Sequence, residues 1–253
     1  MLGDTITLAY NMREGESLRY KTEVLSEQTM KEDGKSPQTG TSLLEMTMLQ
    51  AVKQVTPDGQ MKVAVTIESG SIKKDGQVAP LPSVGQTINI VMEKSGKIVQ
   101  TDVPFPFSQP AFPTDPVGMN QSWTGKSEMD IPLYDDAGNE TGKKQVTLNY
   151  EYTLGGFEQQ LGYETAVINV KCPSTSIELQ EGITQTIKAN GVTNFGHKQG
   201  RLIRSKVATE TEITAPGATV GTKIKVNVEL VDASSGPSEG GGGIGSDEQF
   251  IIR

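Results

Sequence analysis

The sequence has few of the residues on which most catalytic and metal sites depend. Its 253 residues include one cysteine, one histidine and one tryptophan. A single cysteine excludes an intrachain disulfide and a cluster of thiolate ligands, and a single histidine excludes a multi-histidine zinc site. We therefore expect no metal ion and no cofactor, and we assign no catalytic residue.

Positive charge and long apolar runs are also scarce. The chain carries 23 Lys and Arg against 31 Asp and Glu, a net charge of −8, so its field repels the phosphates of nucleic acids. No segment approaches the roughly 18 apolar residues of a spanning helix. Residues 1–4 lack the basic and apolar regions of a secretory signal. The sequence therefore predicts no nucleic-acid partner and no transmembrane segment.

β-Branched residues, in contrast, are abundant. Val, Ile and Thr number 63 against 27 for Ala plus Leu, a composition typical of strands. Apolar and polar residues alternate with a period of two, which indicates strands with one buried face. This alternation occurs at residues 18–24, 60–73, 88–92, 146–152, 166–172 and 224–230.

Turn signals separate these strands at hairpin spacing. Each signal contains a glycine or an asparagine, which can adopt the positive φ that a tight turn requires. They are Asp33-Gly34, Asp58-Gly59, Asp75-Gly76, Ser95-Gly96, Gly138-Asn139 and Asn190-Gly191. Because long strands in a wide sheet twist and curl, we predict an all-β fold, a large curved antiparallel sheet that forms an open half-barrel with little helix. Residues 41–55 are predicted to be a strand, with a helix as the alternative.

Two segments depart from this pattern. Residues 103–117 hold five of the 13 prolines and three of the six phenylalanines, and so many prolines exclude a central strand. Residues 234–246 hold six glycines, which is typical of a flexible linker. We predict a single curved antiparallel β domain over residues 1–232. A Gly/Ser-rich tail follows at 233–253, and its last residues are compatible with a short terminal strand.

The proline-rich segment also supplies the candidate ligand-binding residues. Its stiff backbone would present Phe105, Phe107 and Phe112 to an apolar surface, and Trp123 opens the second half of the sheet. The three phenylalanines either plug the core or form a gate or lid over a ligand, and Trp123 is either a core residue or a binding platform. These four residues are our candidate ligand contacts, and no metal-binding residue is named.

Other reactive or charged residues have plainer interpretations. Cys172 is in phase with the apolar positions of its strand, which indicates an inert, buried thiol. His197 lies between glycines and a lysine, so we expect a solvated loop residue. Four basic residues follow in close succession, Lys198, Arg201, Arg204 and Lys206. We expect them on the solvent-exposed face of a strand, with a docking patch for an acidic partner as the alternative.

The order of these elements resembles that of a known group of proteins. The segments SLRYKTEVLSEQTM, VTPDGQMKVAVTIE, GKIVQTD, GMNQSW and GRLIRSKVATETEI, within residues 5–213, resemble uncharacterised bacterial secreted proteins and lipoproteins. Those families are similar in turn to the outer-membrane lipoprotein carrier fold, an open half-barrel of antiparallel strands. The resemblance implies an extracytoplasmic location, in the periplasm or at the cell surface, and a non-catalytic role.

Together these observations predict a non-catalytic protein of the bacterial cell envelope. We expect it to bind a lipid or another apolar small molecule on the concave face of its sheet. The alternative is a structural or interaction module with a solid core and no ligand, partnered by another envelope protein. A hydrolase that uses paired carboxylates stays a third hypothesis.

Overall fold

Fourteen strands and their turns make up the part of the chain that the computed structural model describes, residues 5–102, 110–134 and 139–234. The strands are β1 Thr5–Ile6, β2 Ser17–Glu32, β3 Gln38–Val55, β4 Met61–Lys74, β5 Gln77–Pro80, β6 Thr87–Met92, β7 Ile98–Thr101, β8 Val117–Gly118, β9 Ser122–Tyr134, β10 Glu140–Gln160, β11 Tyr163–Gln180, β12 Ile183–Gly196, β13 Arg201–Ala215 and β14 Ala218–Ser234. These described residues contain no helix.

Twelve of the strands form one antiparallel sheet that does not close. Its order is β7-β6-β4-β3-β2-β14-β13-β12-β11-β10-β9, with β5 paired beside β4. The last strand, β14, pairs with β2 in the middle of the sheet and joins its two halves. Bulges interrupt most of the pairings, and bulges bend strands and increase their twist. The predicted open, curved all-β sheet is confirmed.

Alternation of side chains between the bulges gives the sheet two different faces. Leu18 and Tyr20 of β2 point to the side that also carries Leu230 of β14, and all three are buried. We call this side the inner face. The opposite side, the outer face, carries Arg19, Lys21 and the residues in register with them.

Two segments of chain cross the inner face at one end of the sheet, which we call the strapped end. Residues 7–16 form one segment: the Tyr10 amide donates to the Lys94 carbonyl at 2.8 Å, and the Asn11 amide donates to Gly200 at 2.9 Å. Residues 110–118 form the other and join the first where β8 pairs with β1. The two segments bury Leu8, Tyr10, Met12, Phe112 and Val117. Each such side chain contributes about 1.5–3 kcal/mol when fully buried, so the straps complete the core.

Most of the sequence-based element predictions are confirmed, and one is wrong. Residues 41–55 lie in β3, and the turns at Asp33-Gly34, Asp58-Gly59 and Ser95-Gly96 connect strands. Asn190-Gly191, in contrast, lies inside β12. Gly191 allows β12 and β13 to approach each other closely, since a Cβ on it would lie 2.3 Å from the Lys206 carbonyl oxygen of β13. Gly138 and the tail from residue 235 lie outside the described residues.

Candidate functional site

The two candidate aromatic residues within the described ranges meet at the strapped end. Phe112 is 5% exposed, and its ring centroid lies 4.5 Å from that of Phe195. Trp123 is half-buried on β9, and its Nε1 donates to the Ala111 carbonyl at 2.7 Å. Its ring stacks on Tyr152 at 5.6 Å. Phe105 and Phe107 lie outside the described residues.

The rings at the strapped end pack in an apolar core. Burial raises the pKa of Tyr152 to about 12, so its hydroxyl stays protonated at neutral pH. Tyr10 stacks against Phe112 with centroids 5.2 Å apart, and burial raises its pKa as well. This end of the inner face can therefore pack apolar groups. The hydroxyl groups of Tyr10 and Tyr152 stay protonated at neutral pH and therefore supply no charge for acid–base chemistry.

A second feature lies on the outer face, in the middle of the sheet. It is a cavity of about 510 Å³ that spans five strands, β3, β2, β14, β13 and β12. We call it the outer groove. Its aliphatic side chains on this face are Leu25, Leu43, Val192 and Ala208, and its polar ones are Glu23, Asn190, Lys206, Lys225 and Asn227.

Strand register explains why these residues share one surface. Leu43 pairs with Leu25, Leu25 with Lys225, Lys225 with Ala208, and Ala208 with Asn190. These five residues form one row across the sheet, and directly opposed Cβ atoms lie about 4.5–5.5 Å apart. The neighbouring row contains Glu23, Asn227, Lys206 and Val192. Together the two rows supply all the outer-face side chains that line the groove.

The shape of the groove follows from small side chains and twist. Ala208 stands between Lys225 and Asn190 in its row, so the middle of the groove is low while its borders carry longer side chains. A strongly twisted sheet is saddle-shaped, and each of its faces is therefore concave along one diagonal. The concave surface thus occurs on the outer face too, and not only on the inner face that the sequence led us to expect.

Charges at the groove are unevenly satisfied. Lys21 Nζ lies 3.0 Å from Glu23 Oε1, and Asn227 Nδ2 donates to Oε2 of the same carboxylate at 3.4 Å. The hydrogen bond from Lys21, followed by the one from Asn227, lowers the pKa of Glu23. Lys225 Nζ reaches Glu27 only at 4.0 Å. Among the described residues, no carboxylate lies within ion-pair distance of Lys206.

The sequence does carry a signal for this groove, which the search for alternation overlooked. Val24-Leu25 and Leu43-Leu44 are each two consecutive apolar residues inside an alternating strand. One member of each pair must therefore point to the outer face. Leu25 and Leu43 are those members, and they oppose each other across β2 and β3.

Two other residues that the sequence singled out have different outcomes. Cys172 is buried among apolar side chains, and burial raises its pKa, so the predicted burial of this thiol is confirmed. His197 lies in the turn between β12 and β13, so its predicted loop position is confirmed. The predicted solvation is wrong, because its side chain is only 12% exposed. Its ring lies edge-on to Phe157 at 5.4 Å, and burial lowers its pKa.

The basic run does not form one exposed face. Arg201 forms a buried ion pair with Glu16, with side chains 16% and 6% exposed, so its placement on a solvated surface is wrong. It lies next to the bulge between β12 and β13, which breaks the alternation there. Arg204 stands 3.4 Å from Glu229, and Lys206 points into the outer groove.

Neither a metal centre nor a spanning helix is found in the described part of the chain. No three of its His, Cys, Asp and Glu side chains are grouped so that they could hold a metal ion. None of its segments forms a helix with the length and apolar character needed to cross a membrane.

Comparisons with known proteins identify the fold and nothing finer. No family model and no curated protein matches the chain. A solved lipovitellin structure concerned with lipid–protein interactions matches with a TM-score of 0.50, 10% identity, 92% of this chain and 27% of that chain. The sheet is similar to one in lipovitellin. This chain thus spans about a quarter of the lipovitellin chain, and at such low identity the likeness concerns the fold alone.

A second solved structure is more distant. DynF from the dynemicin biosynthesis pathway of Micromonospora chersina matches with a TM-score of 0.24 and 6% identity, over 90% of this chain and 85% of that chain. A likeness at that TM-score carries no argument about this protein.

Proposed function

We propose that this protein binds one apolar or amphiphilic small molecule on its sheet, with the apolar part in the outer groove. The observation that carries the proposal is the groove itself, a cavity of about 510 Å³ whose borders include Leu25, Leu43 and Val192. This volume falls within the roughly 300–1,000 Å³ of small-molecule sites, which are mostly apolar with a few placed polar groups.

Three further considerations support a ligand on this sheet. Leu25 and Leu43 form an apolar cross-strand pair on a face that also carries ion pairs, and filling the groove would remove their apolar surface from water. The fold is shared with part of lipovitellin, whose structure concerns lipid–protein interactions. The sequence also predicted a lipid or apolar ligand on a concave face. A non-catalytic role and an extracytoplasmic location stay predictions from the sequence.

A neutral environment-sensitive dye tests the proposal. Nile red should bind the protein with a blue shift of its emission, and Leu43→Asp should weaken binding about tenfold or more because it places a charge in the groove. Leu49→Asp is the matched control. Leu49 is on the same strand and face and is also half-buried, six residues and about 20 Å away.

The intrinsic fluorescence of Trp123 separates the two faces. It is the single tryptophan of the chain and lies on the inner face, where the sequence placed the ligand. A ligand in the outer groove should leave its emission unchanged. A shift in Trp123 emission that Leu43→Asp does not abolish would move the site to the inner face. Absence of any dye binding would favour a structural or interaction module without a ligand.

A further inference from the structure

The polar border of the outer groove carries two positively charged side chains on the neighbouring strands β13 and β14. These are Lys206 of β13 and Lys225 of β14. Lys206 pairs with Asn227 and Lys225 pairs with Ala208, so the two lysines are diagonal neighbours on the same face. Diagonal residues lie about 7–8 Å apart, a separation that two flexible lysine side chains can close around one anion.

These two lysines are less neutralised than Lys188 and Lys21 of the same face. Lys188 stands 3.0 Å from Glu210, and Lys21 stands 3.0 Å from Glu23. Lys225 has one carboxylate at the 4.0 Å limit, and Lys206 has none within that distance among the described residues. The positive charge is notable because the whole chain carries a net charge of −8.

The acidic residue in the groove does not cancel this charge. Glu23 already accepts hydrogen bonds from Lys21 and from Asn227, so its charge is shared with a lysine outside the groove. The groove therefore combines an aliphatic part around Leu25 and Leu43 with two ammonium groups. Among the described residues, Lys206 has no carboxylate within 4.0 Å, and Lys225 has one at that distance. An amphiphile with one negative charge complements both parts, whereas a cationic head group would meet Lys206 and Lys225 with like charge.

We propose that the outer groove selects amphiphiles with an anionic head group, which Lys206 and Lys225 hold while the chain lies against Leu25 and Leu43. This proposal rests on the proposed function, because it names the class of molecule that the same groove takes. The head group would be a carboxylate or a similar single anion. Each lysine would contact it as a charged donor, with its aliphatic stem against the chain.

Three ligands with ten carbon atoms each test this selection: decanoate, decanol and decylammonium. Each is used below the concentration at which it forms micelles or separates from solution. The wild-type protein should bind decanoate more tightly than decanol, and decanol more tightly than decylammonium. Lys206→Gln and Lys225→Gln should each weaken decanoate binding roughly two- to five-fold, the range of a solvent-exposed ion pair. Neither change should alter the affinity for decanol, and added salt should reduce the preference for decanoate.

Lys223→Gln is the matched control. Lys223 lies on β14 two residues from Lys225, on the same outer face and exposed, and it is absent from the groove. Its substitution should leave all three affinities unchanged. An equal effect of Lys223→Gln would show a general field effect and would overturn the assignment to the groove lysines.

The remaining outcomes separate this proposal from the function on which it rests. Equal binding of decanoate and decanol, unaffected by the lysine substitutions, would overturn the head-group selection and leave the apolar-ligand function standing. Tighter binding of decylammonium would show that Glu23 dominates and would also overturn it. Binding of none of the three ligands would overturn the proposed function, and the selection with it.

Discussion

Gly191→Ala tests how closely two central strands approach each other. Gly191 lies in the middle of β12, opposite Val207 of β13. A Cβ built on it would stand 2.3 Å from the Lys206 carbonyl oxygen and 2.8 Å from the Val207 Cα. Both are backbone atoms, which cannot swing aside as the end of a side chain can. The added methyl group therefore requires β12 and β13 to move apart.

The expected cost follows from two opposing effects. Overpacking a well-filled site destabilises proteins by about 1–3 kcal/mol. Replacing glycine by alanine also restricts the unfolded chain, which stabilises by about 0.4–1 kcal/mol where the backbone conformation allows it. Because the clash is with backbone, we expect the upper part of the first range and a net loss of about 2 kcal/mol. For a chain of this size that loss corresponds to a Tm lower by about 4–8 °C.

Urea unfolding monitored by circular dichroism would measure the loss, with Gly40→Ala as the matched control. Gly40 lies inside β3, and a Cβ there meets nothing within 4 Å. That variant should be as stable as the wild type or about 0.4–1 kcal/mol more stable. Equal stability of Gly191→Ala and Gly40→Ala would refute the close-approach explanation for Gly191.

Three further predictions concern single side chains. Arg201→Ala should destabilise the fold by about 3–5 kcal/mol in urea unfolding, since it leaves the Glu16 carboxylate buried without its partner. Arg19→Ala removes two exposed ion pairs, with Glu68 and with Asp232, and the loss of each should cost at most about 1 kcal/mol. Equal losses of unfolding free energy for Arg201→Ala and Arg19→Ala would contradict this contrast. Trp123→Phe removes the hydrogen bond to a strap carbonyl and should cost about 1 kcal/mol, which an unchanged urea midpoint would exclude. Burial lowers the pKa of His197 below 6.5, so the unfolded chain binds a proton at this residue more readily than the folded protein does. The free energy of unfolding is therefore unaffected by this group well above pH 6.5 and decreases as the pH falls below it. His197→Gln should reduce the loss of unfolding free energy between pH 7.5 and 5, and an unchanged loss would refute it.

The sheet could be predicted from the sequence because each strand carries its own evidence. In β4, Met61, Val63 and Val65 alternate with Lys62 and polar or small neighbours, and the first three are buried as the pattern requires. Such a signal is local, since alternation within one strand decides which face it buries. The pairing of β14 with β2 is not local, and the sequence alone did not predict it.

The two apolar pairs at Leu25 and Leu43 are a local signal, but the complete groove could not be predicted, because its residues come from five strands that register brings together. Leu43 and Val192 are 149 residues apart in the chain, and their proximity depends on every pairing between β3 and β12. The prediction of a turn at Asn190-Gly191 is wrong because the role of this glycine also depends on a neighbouring strand. A glycine that follows asparagine favours a turn locally, whereas the approach of Lys206 from the next strand requires a glycine for a different purpose.

The most direct test of the central claim is methyl NMR of the protein labelled at Leu and Val, titrated with decanol. Binding in the outer groove should shift the methyl signals of Leu25, Leu43 and Val192 in a saturable manner and leave that of Leu49 unchanged. Shifts confined to inner-face methyl groups such as those of Val228 and Leu230, or no saturable shift at all, would contradict the account.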